Sequence, residues 1–461
     1  MIRVGSARVE ITPPVGLPLS GFAMRQNRPS VAVDDPLFVK ALALEADGEL
    51  LLLLSYDLLG FDLALDGQIR AWLNRAFGSR LSPARVLITT THTRSGPPTM
   101  PIAGETRVPD TYIQMLSQAS QAVAEQAFGR LTEASLVHAA THLKGINLNR
   151  RRAQFPAQSG EHFPLDDALD LFVFRGPEGA CLGSLARFSC HAVTMTTQHV
   201  SADFPGALTR RLEAQLGASQ SASCLFLPGT AGDANPATVS QDHAAMLAFV
   251  EAMAAQLSGL TDRLQPVQMD DVRLLTRSFR LPFAPFPPEE QLLAAIARNE
   301  RILAGDLSSP DVQPMLQEYA AWRYPDDSDR EGTVRHWAQV YKERDLHTLK
   351  AIAAAEANPG APFQAAALKL GPFVFLGLSG EIFTTLGQRL QTLAVGQQVL
   401  VISYLSPIVG YIPTAPDCAI GGYEIGNAWM WYRMPGPFRD DIAALIEEQV
   451  QGLLADLRGG R

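Results

Sequence analysis

The sequence predicts an α/β protein of mixed sheets flanked by helices and interrupted by a helical insertion. Three observations carry this. Short apolar runs of strand character alternate with segments whose apolar residues recur at helical spacing. One run, Leu50 to Tyr56, is apolar at nearly every position, as in a central strand covered on both faces. A Pro-rich stretch, Pro282 to Pro288, then opens a region of purely helical pattern that lasts to about residue 357.

The elements follow in order. Leu37 to Ala46 and Leu50 to Tyr56 flank Asp47-Gly48, a strong hairpin signal. Ile69, Trp72, Leu73 and Phe77 repeat at helical spacing, and Gly78 fits a stop. Val86 to Ile88 returns to strand, and Asp110 is placed to cap a helix running to about Phe128. Strand pattern recurs at Ala134 to Ala140 and Leu171 to Phe174, with a polar loop, Asn147 to Arg152, between them. Leu185 to Phe188 reads as strand, Pro205 to Leu216 as helix and Cys224 to Leu227 as strand. A helix is expected from about Gln241 to Leu257. Residues 283–357 read as a helical insertion or lid, in which Leu292, Ile296 and Leu303 mark an amphipathic helix closed by Gly305. Strand pattern resumes from Gln364 to Leu378 and at Val399 to Ile402. Because the alternation continues on both sides of the insertion, residues 1–461 are read as one domain, and no internal repeat is visible.

Composition narrows the function classes. The 38 basic and 47 acidic side chains give a net charge of −9, with no stripe of Lys or Arg, so nucleic acid is not an expected partner. Cys181, Cys190, Cys224 and Cys418 form no CxxC pair, which argues against a thiolate zinc site; buried free thiols are expected. The N-terminus has no apolar signal core, and the longest apolar run, Leu50 to Leu54, is too short to cross a bilayer. A cytoplasmic protein without stable membrane insertion is expected. The oligomeric state is not legible.

Four polar residues stand where an apolar strand run gives way to a loop, the place where α/β proteins bind ligands. His92 lies in Thr91-His92-Thr93-Arg94-Ser95-Gly96-Pro97, and His191 in Ser189-Cys190-His191. Glu381 follows Phe373 to Leu378, and Tyr411 comes shortly after Val399 to Ile402. Two imidazoles, a carboxylate and a phenol can together hold a hydrolytic zinc. A single strand-end histidine is more often structural, and His138, His142, His162, His199, His243, His336 and His347 are read that way.

A family resemblance sharpens this reading. The chain resembles the catalytic N-terminal domain of neutral (non-lysosomal) ceramidases and their bacterial relatives. Val4 to Pro13 (VGSARVEITP) looks like the family's opening strand, and Thr91 to Pro97 resembles its THTHSGP element. Asn149-Arg150 resembles its NRS loop, and Phe226 to Pro236, with Gly232-Asp233, its GD-x-x-P loop. Ser379 to Thr385 resembles PGEFTT, while Tyr411 to Thr414 and Tyr423-Glu424 resemble YVTT and YEG, the two tyrosines 12 residues apart as in the family. The resemblance implies one catalytic zinc ion held by His92, His191, Glu381 and Tyr411. It implies that Tyr423 faces the reacting carbonyl and that Arg150 contacts the substrate or the developing oxyanion.

The departures carry information too. Arg94 stands where the family has a second histidine; a guanidinium cannot ligate zinc, but it can grip a carboxylate. Gly229 stands where the family has a serine, which leaves no seryl nucleophile there and favours activated water. The ceramidases' C-terminal immunoglobulin-like domain is read as absent. Arg94, Gly229 and Trp429 are expected to contact substrate, Trp429 lining an apolar acyl pocket. Asp203 is expected to orient a ligand imidazole, unless it simply starts the helix from Pro205. The expected function is zinc-dependent cleavage of a linear amide by metal-activated water, with an N-acyl amine, N-acyl amino acid or N-acyl lipid as the small-molecule substrate. The alternatives are ester or cyclic-amide hydrolysis at the same site, and a non-catalytic binding protein that keeps the fold.

Overall fold

Two short runs of Leu and Val per hairpin, apolar on both faces, need cover on both sides, and the fold supplies it three times over. The structure is a computed structural model and describes residues 2–158, 163–269, 271–321, 329–354, 360–394 and 396–459. His162 and residues 322–328 and 355–357 of the expected insertion lie outside them.

Three sheets form the body. The first runs Val86–Thr90, Glu49–Tyr56, Phe38–Ala46, Ile2–Glu10, Thr132–Glu133. The second runs Cys224–Pro228, Cys181–Phe188, Ala168–Arg175, Ser135–His142, Gln265–Val267. The third runs Gln398–Ile402, Phe373–Leu378, Ala361–Leu370, Val272–Leu281. In each, the first-named pair is parallel and every other pair antiparallel.

One order of elements builds all three: three antiparallel strands, a crossover helix, a strand parallel to the third, and a closing helix. The crossover helices are Leu63–Phe77, Asp203–Gln215 and Thr384–Gln391. The closing helices are Asp110–Gly129, His243–Gln256 and Ile442–Gly459. Register agrees as well: Val39 faces Tyr56, Leu169 faces Phe188 and Ala365 faces Leu378 at the same end of each hairpin. The chain is therefore a threefold structural repeat, which corrects the expectation of none. The repeat resides in topology and register, whereas the loops differ in length and the insertion splits the third unit between its first two strands.

The sheets turn one face toward each other. Leu42, Leu44 and Leu53 of the first, Phe172, Phe174 and Leu185 of the second, and Leu368, Phe375 and Leu400 of the third share one buried cluster. Helices cover the opposite faces, with Ile69 and Leu116 on the first sheet, Leu208 and Phe249 on the second, and Leu386 and Val450 on the third. The insertion forms helices Glu289–Leu303, Gln313–Ala321 and Arg330–Ala353. Its Ile302, Tyr319 and Trp337 pack with Leu59, Ile102, Tyr404, Tyr411 and Trp431, so it abuts the strand ends where the candidate residues lie.

Local departures from expectation have local causes. Asp110 is the first residue of its helix rather than its cap; Pro109 takes the cap position, without a side-chain capping bond. Asn147 to Arg152 is not a loop: Asn147–Asn149 pairs with Ala234–Pro236, and Arg151–Gln154 makes a helical turn. The stretch His243–Arg263 is long and apolar enough to cross a bilayer, which Leu50 to Leu54 is not. Met246, Phe249, Val250 and Met253 bury its face in the second unit's core, as expected of a core helix. All four cysteines are free, with Cys181, Cys190 and Cys224 buried.

Candidate metal centre and catalytic cavity

Each sheet sends one side chain to a common point. His92 follows Val86–Thr90 of the first sheet, His191 follows Cys181–Phe188 of the second, and Glu381 follows Phe373–Leu378 of the third. Their ligand atoms all lie within 4.8 Å of one another. His191 Nε2 is 2.7 Å and His92 Nε2 3.6 Å from Glu381 Oε2. All three residues are 0% exposed.

Hydrogen bonding fixes which atoms point inward. His92 Nδ1 is 2.7 Å from the Leu59 carbonyl and His191 Nδ1 is 3.3 Å from that of Ala234. A carbonyl only accepts, so each Nδ1 donates and each Nε2 presents a lone pair. Burial lowers both imidazole pKa values, His92 to about 3, so both rings are neutral. Burial would raise the Glu381 carboxyl, but His92, His191 and the Arg94 charge around it hold it well below the usual carboxylate range. Two lone pairs thus face a carboxylate in a buried pocket, and His92 Nε2 has no hydrogen-bond partner among the described residues. Such an arrangement is costly alone and favourable around a cation. Two imidazoles and a carboxylate form a known ligand set of hydrolytic zinc, so the residues present fit the expected ion.

Three tyrosines close over this cluster. Tyr404 stacks on His92 with ring centroids 4.0 Å apart, and its hydroxyl is 3.4 Å from both His191 Nε2 and Glu381 Oε2. Tyr432 donates its hydroxyl to Glu381 Oε1. Tyr411 pairs directly with Glu381 in a short parallel ladder, and its ring lies 6.3 Å from that of His191. The hydroxyls hydrogen-bonded to ligand atoms are thus those of Tyr404 and Tyr432, while the Tyr411 ring lies under the Arg150 guanidinium. Sequence reasoning missed Tyr404 and Tyr432. Tyr404 did carry a signal, since it stands two residues beyond Gln398–Ile402, the same strand-end setting as His92.

A cavity of about 330 Å³ opens in front of the tyrosines, with Leu59, Tyr411 and Tyr432 in its wall. Arg94, Arg150 and Tyr423 give it polar groups, and Phe22, Met24, Ile102 and Trp431 give it an apolar lining. Arg150 is tightly held: Nε donates to Glu424 Oε1 at 2.7 Å, Nη1 to Asn235 Oδ1 at 3.2 Å and Nη2 to the Gly232 carbonyl at 2.9 Å. Its guanidinium lies over the Tyr411 ring, 5.2 Å from the centroid.

Three expected residues are placed elsewhere. Gly229 is buried behind the site, where an added Cβ would lie 2.2 Å from Ser189 Oγ and 2.8 Å from Arg187 Nη2, so it is a packing glycine. Trp429 lies on another side of its short helical turn, its indole N–H donating to the Gly426 carbonyl, and Trp431 takes the place in the cavity wall. Asp203 accepts from Thr194 Oγ1, Met195 N and Phe204 N. It braces the loop after His191 and starts its helix, and backbone carbonyls orient both imidazoles instead.

The fold is shared with solved ceramidases. The chain superposes on the neutral ceramidase from Pseudomonas aeruginosa with a TM-score of 0.74 at 16% identity, covering 99% of this chain and 74% of that one. It superposes on a ceramidase complexed with C2 with a TM-score of 0.73 at 15% identity, covering 99% and 75%. No curated protein matches the sequence. Residues 2–260, which include His92 and His191, match the sequence model of the neutral/alkaline non-lysosomal ceramidase N-terminal region, while Glu381 falls in the part matched by structure. That match spans more than half of the 461 residues, and the chain belongs to the neutral/alkaline non-lysosomal ceramidase family.

Proposed function

We propose that this protein is a zinc-dependent hydrolase that cleaves a linear amide bond, in an N-acyl amine, N-acyl amino acid or N-acyl lipid. The observation that carries the reading is the convergence of His92, His191 and Glu381, one from each sheet, with His92 Nε2 left without a hydrogen-bond partner among the described residues. Family membership and the ceramidase fold support an amide as the bond attacked. A zinc ion held there supplies Lewis acidity toward the carbonyl and lowers the pKa of water.

The chain's own groups do the rest. Burial and the neighbouring tyrosine push the Tyr423 phenol far above its ordinary value, so it stays protonated and can donate to the oxyanion of the tetrahedral intermediate. Arg150 adds positive charge beside it and is locked in one orientation by Glu424, Asn235 and the Gly232 carbonyl. The apolar lining excludes water and receives an acyl chain. We propose Tyr411 as the fourth ligand, on the strength of its ladder pairing with Glu381.

The test is amine release from zinc-loaded protein given N-acyl amines, N-acyl amino acids and ceramide, with aryl esters in parallel. Amine from at least one amide is expected; release from esters alone would overturn the reading.

A further inference from the structure

We infer that Arg94 selects the substrate by taking a carboxylate, so that the preferred class is N-acyl amino acids over neutral N-acyl amines and lipids. The inference rests on the amidase reading above and narrows it.

Two guanidiniums line the cavity, and they differ in one respect. Arg150 spends its donors on Glu424, Asn235 and Gly232. Arg94 has no side-chain hydrogen bond or ion pair among the described residues, and its Nε is buried without a partner. Its guanidinium lies over the Phe22 ring, with Cζ 5.5 Å from the centroid. The flat face is covered while the donor edge is left for a ligand, and that edge matches a carboxylate bidentately.

Local acids do not fill the role. Glu381 is taken by His191 and Tyr432. Glu105, also in the cavity wall, accepts from Ser20 Oγ at 2.5 Å and Gly21 N at 2.7 Å, and burial pushes its pKa up to about 7. Arg94 thus keeps a donor edge with no ion-pair partner among the described residues, the edge a carboxylate would fill.

Arg94 is also held in place. Gly21 has φ +92°, and a Cβ there would lie 2.6 Å from Arg94 Cγ, so only glycine leaves room for the stem. Buried Arg25 donates to the Arg94 carbonyl and, at 2.7 Å, to that of Thr197, which fixes the backbone. Arg94 also shares the cavity wall with Tyr411, Tyr423 and Tyr432, and the Tyr432 hydroxyl donates to Glu381, which places a bound carboxylate near the scissile amide. In the reaction, water oxygen joins the acyl carbon, the C–N bond breaks, and the nitrogen leaves as the ammonium of a free amino acid beside a fatty carboxylate.

The experiment compares N-dodecanoylglycine with N-dodecanoylethanolamine on the zinc-loaded protein. The glycine conjugate is expected to show a kcat/KM higher on the order of 10- to 100-fold, the value of a charged hydrogen-bonded pair. Arg94→Gln should collapse that ratio at least tenfold, mainly through KM of the glycine conjugate. Gly21→Ala, which keeps the charge but displaces the stem, should lower the ratio too. Metal content and melting temperature of each variant establish that it is folded. Equal rates on both amides in the wild type, or an unchanged ratio in folded Arg94→Gln, would overturn the inference and leave the amidase reading standing. No amine from either amide would overturn the inference, and none from ceramide as well would overturn both.

Discussion

Replacing Glu424 with glutamine removes a carboxylate that bridges two guanidiniums beside the cavity. Glu424 Oε1 is 2.7 Å from Arg150 Nε and Oε2 is 3.1 Å from Arg151 Nη1. The side chains of Glu424 and Arg151 are fully buried and that of Arg150 is 14% exposed. Breaking a buried pair by removing one partner costs about 3–5 kcal/mol, because the other charge is left uncompensated. Here two are left, but both keep other acceptors. Arg150 retains Asn235 and the Gly232 carbonyl, and Arg151 retains the carbonyls of Asp417 and Gly421 and the Asp417 carboxylate at 4.0 Å. The lower end, about 3 kcal/mol, is therefore expected. Urea unfolding should show a lower midpoint at unchanged slope. The kcat/KM of the amide reaction should fall more than tenfold as Arg150 loses its strongest anchor. A loss under about 0.5 kcal/mol with full activity would refute the argument that this bridge positions Arg150.

Two further outcomes follow from the geometry. Gly229→Ala should lower the urea midpoint by the equivalent of about 1–3 kcal/mol, since its Cβ would lie 2.2 Å from Ser189 Oγ, without altering KM; a changed KM at full stability would return Gly229 to the substrate site. Glu105 titrates at about 7 in the folded chain against an ordinary 4.5, so the native state binds its proton more tightly and stability falls as pH rises through that window. Its share is on the order of 3 kcal/mol, and Glu105→Gln should flatten the fall. Some slope should persist from Asp203 and Asp233, each raised to about 6 by burial; an unchanged slope would show that Glu105 ionises normally.

Local signals in the sequence carried far, and distant ones did not. The Asp47-Gly48 turn, with both residues at positive φ, and the doubly buried strand Glu49–Tyr56 were legible because they depend on neighbours in sequence. His92, His191 and Glu381 were legible as strand-end residues, but their meeting was not, because it requires three sheets to face one another. The threefold repeat escaped notice because packing conserves topology and burial, not residue identity. Strand Val272–Leu281 was missed because its mixed, half-exposed pattern lacks an apolar run. Trp429 and Trp431 lie two residues apart on one helical turn, so composition could not tell which faces the cavity.

The central claim is that His92, His191 and Glu381 hold one hydrolytic metal ion. Metal analysis of the purified protein tests it most directly, with His92→Ala, His191→Ala and Glu381→Ala beside it. The account predicts close to one zinc per chain in the wild type, and loss of both metal and amide turnover in each folded variant. A wild-type protein that cleaves amides with no bound metal, or a variant that keeps full zinc occupancy and turnover, would contradict it.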